Sequence, residues 1–153
     1  MNNRFDHFEQ IGSKVLCEKN DISDKTSVPQ WLDKDKIRRA QSLAKNHFFG
    51  VFFAHLSGLI LLVHIKSILI PLISTGNSRS VAHLFGRYLR TLVRVKSWYE
   101  GDIWDPNHQS HQSVVQVRKM HTKVSKDLNK GKEEMAEEMS LSQFDMTVTQ
   151  FGA

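Results

Sequence analysis

The chain has 153 residues, a net charge of +5 at neutral pH and an apolar fraction of 40%. This length fits one domain with a real hydrophobic core, and the composition is ordinary for a globular protein. The single cysteine, Cys17, excludes an internal disulfide framework and the paired cysteines that attach a c-type haem.

Residues 1–28 form a polar leader, which we expect to be disordered because it offers few apolar side chains for burial. It lacks the apolar run of a secretory signal peptide, so we expect an intracellular protein. Pro29 and Asp33 mark the start of a helix. A helical domain is therefore predicted over residues 29–153.

Charge is unevenly distributed in the predicted domain. No acidic residue lies between Asp35 and Glu100, whereas ten lysines and arginines do. A basic, acid-free middle suits an anionic partner, such as nucleic acid, a membrane surface or the carboxylates of a bound ligand.

The most hydrophobic segment is FFGVFFAHLSGLILLVHIKSILIPLI, residues 48–73. Its length would span a bilayer. Polar residues interrupt it, and glycine and proline divide it into shorter pieces: His55, His64, Lys66, Gly50, Gly58 and Pro71. Two buried helices that meet at a turn are the favoured interpretation, and a membrane span remains the alternative.

Helices are also predicted after the polar loop at 74–80. One runs from about Val81 to Ser97 with helical periodicity. A second begins at Asp105 and Pro106, a usual helix start, and reaches about Leu128. The acidic run 133–138 is expected to be solvated, and the sequence from Ser142 to Asp145 matches a capping box before a last helix. Strand-like alternation is absent, so the fold class is all-α.

His121 lies within the helix predicted around VVQVRKMHTKVS, residues 114–125. Its neighbours at steps of three and four are apolar, namely Val114, Val117, Val124 and Leu128. A histidine on a buried face needs hydrogen-bond partners or a metal for its nitrogens. A core histidine bonded to a carbonyl is the more common outcome, and a metal ligand is the alternative.

Arg87, Arg90, Thr91 and Arg94 share one face of the preceding helix, because their spacings are three, four and seven. Converging guanidinium groups and a hydroxyl can hold carboxylates, phosphates or bound dioxygen. A solvated basic face is the alternative.

No other catalytic or binding motif is present. Zinc-protease, nucleophile-elbow and phosphate-loop patterns are absent, and Cys17 has no nearby histidine that would activate it. His108 and His111 have metal-ligand spacing, but solvent exposure is expected at a helix start. The basic residues alternate with core-type apolar positions, so nucleic acid is not an expected partner.

Two motifs in order carry a family resemblance: FGRYLRTLV, residues 85–93, and VVQVRKMHTKVS, whose His121 follows Thr91 by thirty residues. Together they resemble the haem pocket of the rubber oxygenase (latex clearing protein) family, which includes the ER-bound oxygenase of mycophenolic acid biosynthesis. The segments at 96–107 and 145–152 are similar to insect members. The resemblance covers roughly residues 29–153.

The resemblance implies that His121 is the proximal iron ligand of a b-type haem and that Arg87 and Thr91 shape the pocket. Arg90 falls where rubber-cleaving members have a lysine that can ligate the iron. An arginine stays protonated and cannot ligate, but it could stabilise bound dioxygen. Arg87, Arg90 and Thr91 are therefore the candidate catalytic residues. The glutamate base of the family has no counterpart, because residues 36–99 contain no acid.

The fold implied is a helical bundle with a globin-like haem-binding core. Family domains continue well past the position of Ala153, so we expect an incomplete core in a truncated domain of low stability. The implied function is a haem b-dependent oxygenase, an oxidoreductase that uses dioxygen on a hydrophobic substrate such as an isoprenoid, in the cytoplasm or at the ER membrane. The alternative is a truncated, non-catalytic helical module that associates with a membrane or a protein partner through residues 48–73.

Overall fold

The computed structural model describes residues 3–17, 32–76, 78–132 and 139–152. Within these ranges the fold is all-α and contains no named strand. The helices, in chain order, are α1 (Asn3–Gly12), α2 (Lys34–Asn46), α3 (Phe48–Leu62), α4 (Lys66–Ser74), α5 (Val81–Glu100), α6 (Gln109–Leu128) and α7 (Gln143–Gly152). The all-α prediction is confirmed. The predicted helix start at Pro29 and the acidic run 133–138 lie outside the described residues.

Two helix ends differ from the sequence prediction. Helix α5 continues past Ser97 to Glu100. Helix α6 begins at Gln109, after His108, whose ring nitrogen accepts a hydrogen bond from the Ser110 backbone N–H. The Asp105 carboxylate instead accepts from the backbone N–H of Asn107 at 2.9 Å. Asp105 therefore closes a local turn before the helix rather than capping it.

The N-terminal region has structure that composition did not indicate. Helix α1 contacts α7, where Phe144 packs against Phe5 and Phe8 with ring centroids 5.9 and 5.8 Å away. After the helix, Ser13 O accepts a hydrogen bond from the backbone N–H of Met139 at 2.9 Å. Residues 3–17 are thus packed against the helical domain. A few aromatic contacts suffice because α7 supplies the partner surface.

Helices α3 and α4 divide the hydrophobic segment and meet at a bend of 94°. The predicted turn is present, but the predicted burial is limited to Ile68 and Pro71 of α4. Phe49, Phe53 and Leu61 expose 84%, 70% and 72% of their surfaces. Among the described residues, no single helix meets the length and hydropathy requirements for crossing a bilayer, whereas this bent pair meets them together.

Few apolar side chains are buried in the described part of the chain. They are Leu16, Ala44, Ile68 and Met139. More polar than apolar residues are buried there, which reverses the usual preference. The described helices therefore do not enclose a large apolar core.

Five of the eight buried polar residues in the described ranges form a cluster where α6 ends and α7 begins, which we call the polar junction: Ser125, Asn129, Ser140, Ser142 and Asp145. Asn129 Nδ2 donates to the carbonyl oxygens of Ser125 and Ser140, both at 2.7 Å. Its Oδ1 accepts from the Ser140 N–H at 2.9 Å. The predicted capping box is present, since the Ser142 hydroxyl accepts from the Asp145 N–H while the carboxylate accepts from the Ser142 N–H.

Helices α5 and α6 pack as an antiparallel pair that begins at their short connection. The Ser110 hydroxyl donates to the Ser97 carbonyl at 2.8 Å, and Trp98 Nε1 donates to the Ser113 hydroxyl at 3.1 Å. From α2, the Gln41 amide donates to the carbonyl oxygens of Trp98 and Gly101, both at 2.9 Å. These bonds fix the end of α5 and set the register of the pair.

Candidate functional site

The register of the α5–α6 pair brings Arg87 and His121 together. The Ser110 hydroxyl is bonded to the Ser97 carbonyl across the pair. In an antiparallel pair, the residue ten positions before Ser97 lies near the residue eleven positions after Ser110, and these two are Arg87 and His121. Arg87 is close enough to lower the pKa of His121. Two residues thirty-four positions apart in the chain therefore share one site.

The imidazole of His121 is partly buried, and burial is the main reason why its pKa lies below the ordinary 6.5; the positive charge of Arg87 lowers the pKa further. The ring is therefore neutral at neutral pH, with a lone pair on one nitrogen. Among the described residues, no hydrogen-bond partner of this ring is observed. A neutral, partly buried imidazole has a lone pair that is available to a bound group.

His111 instead shows the carbonyl-bonded arrangement that is common for core histidines. It is buried, and its Nδ1 lies 2.8 Å from the Ile103 carbonyl oxygen. The expectation that His111 is solvent-exposed is therefore wrong. The reason is that the loop before α6 folds back and covers the first turn of the helix.

The valine stripe of α6 is not its most buried face. The side chains at 114, 117, 121, 124 and 128 are all intermediate in exposure. The buried positions of α6 are small or polar and lie about a quarter-turn away: Ser110, His111, Thr122 and Ser125. Small hydroxyl side chains allow close approach and bond to neighbouring carbonyls, so apolarity alone did not identify the packed face.

Arg87 is half-buried and anchors a neighbouring helix. Its guanidinium donates to the carbonyl oxygen of Leu72 in α4 at 3.2 Å and to the hydroxyl of Ser78 at 3.3 Å. Burial lowers the pKa of Arg87, and the positive charge of Arg90 adds to this effect. These partners are distant in sequence, and nothing in the motif around Arg87 indicated them.

Arg90 and Thr91 are exposed. The Thr91 hydroxyl donates to the Arg87 carbonyl at 3.2 Å, a bond within its own helix. Arg94 is intermediate in exposure on the same face. The predicted polar face of α5 therefore exists, but only Arg87 is drawn into contact with other elements, while Arg90 and Thr91 face solvent.

The site is cationic. His121 is influenced by Arg87, which in turn is influenced by Arg90, and no acidic group contributes to either pKa shift. An anionic group bound here would be attracted by both guanidinium groups. Within the described ranges no cluster of three or more His, Cys, Asp or Glu could hold a metal ion without a cofactor. The polar groups that the structure brings to this site are the His121 imidazole and the Arg87 guanidinium, with Arg90 next to Arg87 on the same helix.

The chain also has a groove that sequence reasoning missed. It has a volume of about 270 Å³ and lies between the α2–α3 junction and the C-terminal half of α5. Leu92 of the groove follows Arg87 by five residues, which places the two side chains about 140° apart around α5. The groove and the Arg87–His121 site therefore occupy different faces of the same helix.

Comparison with protein-family models, with curated proteins and with solved structures found no match. The resemblance to the rubber oxygenase family therefore stays a prediction from sequence motifs.

Proposed function

We propose that the chain is a haem b-dependent oxygenase-like protein that acts on a hydrophobic substrate with dioxygen. The observation that carries the proposal is His121, a partly buried and neutral imidazole beside Arg87, without an observed hydrogen bond to a described residue. This is the electronic state in which histidine ligates iron. The family motif selects the same residue for the same role.

The residues present fit the group in their chemistry. His121 would supply the nitrogen that holds the iron, and its lowered pKa keeps protons from competing for that nitrogen near pH 7. Arg87 would pair with a propionate while it retains its bonds to Leu72 and Ser78. Bound haem would supply the dioxygen chemistry. Exposed Arg90 and Thr91 offer donors at the open side of the same helix face.

The globin-like arrangement around the haem belongs to this proposal as well. The antiparallel α5–α6 pair would hold the cofactor through Arg87 and His121. An all-α scaffold suits this role, because facing helices commonly hold haem and metal sites between them.

Reconstitution with hemin tests the proposal. We expect a Soret band in the wild type and its loss or shift in His121→Ala. The matched control is His64→Ala, since His64 is exposed, follows the end of α3 and is bonded to the Ile60 carbonyl of that helix; this variant should retain the band. A wild type without a Soret band, or a band unchanged in His121→Ala, contradicts the proposal.

A second candidate function is association with an anionic membrane surface through residues 48–73. The exposed side chains of Phe49, Phe53 and Leu61 favour it, because side chains of this size are seldom left in water at such exposure. The acid-free stretch from residue 36 to residue 99 would avoid repulsion by anionic lipids.

Flotation with vesicles separates the two candidates. We expect the wild type to float with phosphatidylcholine vesicles that contain about one third phosphatidylserine, and to be released by high salt. The double variant Phe49→Ser/Phe53→Ser should remain at the bottom of the gradient. Phe85→Ser, which changes an exposed phenylalanine of α5 instead, should still float. Equal flotation of all variants would exclude α3 as the contact.

A further inference from the structure

The walls of the groove are apolar and partly pre-organised. From α3, Phe48 and Phe52 stack with ring centroids 6.3 Å apart and an interplanar angle of 25°. From α5, Leu92, Val95 and Tyr99 face them across the groove. Aromatic rings held against each other keep their positions when a ligand binds, which lowers the entropic cost of binding.

The polar groups of the groove lie at its rim and leave a positive charge there. Lys96 forms an ion pair with Glu100, which lies four residues later on the same helix. Lys45, at the end of α2, lines the same groove, and no ion pair with a described acid is observed for it. An anionic head group would therefore find an available cation beside an apolar wall.

The volume restricts the ligand further. At about 270 Å³ the groove is at the small end of the range of roughly 300–1,000 Å³ that is usual for ligand sites. A single flexible chain fits such a site better than a fused-ring system. Because the groove is open along one side, the polar end of the chain can stay in water near Lys45.

We propose that the groove between α2, α3 and α5 binds a monocarboxylate with a single acyl chain. The chain lies between Phe48, Phe52 and Leu92, and the carboxylate pairs with Lys45. The groove and the Arg87–His121 site are on different faces of α5, so this binding does not depend on haem.

A competition experiment on the full chain tests head-group selectivity without any substitution. The probe is cis-parinaric acid, a single-chain fatty acid whose fluorescence rises in an apolar site, and the competitors are dodecanoate and dodecanol below their aggregation concentrations. We expect dodecanoate to displace the probe at a several-fold lower concentration than dodecanol, since one exposed ion pair contributes a few-fold in affinity. Equal competition by the two contradicts the role of Lys45.

Two matched pairs of variants locate the site. Val95→Trp fills the groove and should weaken probe binding about tenfold or more, because the indole occupies the space of the acyl chain. Leu89→Trp, on the same helix but outside the groove, should change binding less than twofold. Lys45→Gln should weaken dodecanoate several-fold and leave dodecanol unchanged, whereas Arg39→Gln on α2 should affect neither.

Circular dichroism of each variant distinguishes a filled groove from a lost fold. Equal losses in Val95→Trp and Leu89→Trp would mean that the probe adsorbs to the exposed apolar surface in general, and this overturns the proposal. If sedimentation shows that the wild type is a dimer, that Val95→Trp is a monomer, and that dodecanoate displaces no probe, the occupant is a second copy of this chain.

Discussion

The polar junction and the exposed surfaces of α3 and α5 differ in burial and in the kind of side chain that they carry. At the junction, Asn129 exposes 2% of its surface and its amide is fully bonded. On α3 and α5, large apolar side chains such as Phe53 and Phe85 expose 70% and 60%. Among the described residues, buried hydrogen bonds are therefore concentrated at the polar junction, while large apolar side chains of α3 and α5 are exposed.

This difference predicts that the largest effects on stability come from polar substitutions at the junction. Asn129→Leu removes three hydrogen bonds and leaves the buried Ser140 N–H unpaired, while the Ser125 carbonyl keeps its bond from the backbone N–H of residue 129. We expect a loss of about 3 kcal/mol in the free energy of unfolding, because each buried group without a partner costs about 1–3 kcal/mol. Urea unfolding monitored by circular dichroism measures it.

The control for this experiment is Ser57→Ala. Its hydroxyl bonds to the Phe53 carbonyl within an exposed turn of α3, so its removal should cost less than about 0.5 kcal/mol. A similar loss in Ser57→Ala and Asn129→Leu would show that the junction is no more stable than the rest of the chain.

A smaller effect is expected at Leu141, which lies at the junction with φ of 55°. A side chain in this left-handed region costs about 1–2 kcal/mol, and glycine avoids this cost. Leu141→Gly and Leu141→Ala both lose the leucine side chain, but only glycine relieves the backbone. The glycine variant should therefore be more stable than the alanine variant by about 1 kcal/mol, measured as the difference in urea midpoints.

The pH dependence of stability tests the environment of His121, which lies between the two regions on α6. Because its folded pKa is below 6.5, the unfolded state binds the proton more readily. The stability that depends on a neutral His121 is present above pH 6.5 and is lost as the pH falls through the folded pKa. We expect His121→Gln to lose less stability than the wild type between pH 7 and pH 5.

The two proteins should be compared by urea titration at both pH values. If the wild type and His121→Gln lose the same stability between the two pH values, His121 is as solvated in the folded state as in the unfolded state. His83→Gln serves as the control, since His83 is exposed and bonded to Ser80 in its own helix turn.

The smallest effect on the free energy of unfolding is predicted for the exposed apolar side chains of α3. Phe53→Ser should change the unfolding free energy by less than about 0.5 kcal/mol, since the ring is largely in water before the substitution. A loss of several kcal/mol, typical of a buried phenylalanine, would show that this face is packed in solution. Thermal melting of the two proteins at equal concentration decides between these outcomes.

Local sequence signals predicted several elements of this fold correctly. The all-α class, the end of α6 at Leu128 and the capping box at Ser142 follow from periodicity and capping chemistry, which act over a few residues. The prediction that Arg87 and Arg90 share one face of α5 likewise followed from their spacing in the sequence.

The rest depended on contacts that periodicity does not encode. The packing of Phe144 on α1 and the bond from Gln143 to the Cys17 carbonyl join opposite ends of the chain. The groove beside Val95 arises where three helices diverge, and the anchoring of Arg87 requires α4 to end next to it. The role of His121 as a haem ligand stays a prediction, carried by its motif and its neutral, partly buried ring.

Gly101 ends α5 at the point where the first turn of α6 approaches most closely. A β-carbon at this position would overlap the Ser110 hydroxyl and the His108 ring, so any larger residue must push α6 away from the end of α5. Arg87 lies fourteen residues back along the helix, which is about 21 Å at 1.5 Å per residue. A displacement of the connection is carried along both helices to their far ends, where Arg87 meets His121. Mutational scanning should therefore find position 101 as intolerant as the site itself, although the two lie at opposite ends of the pair.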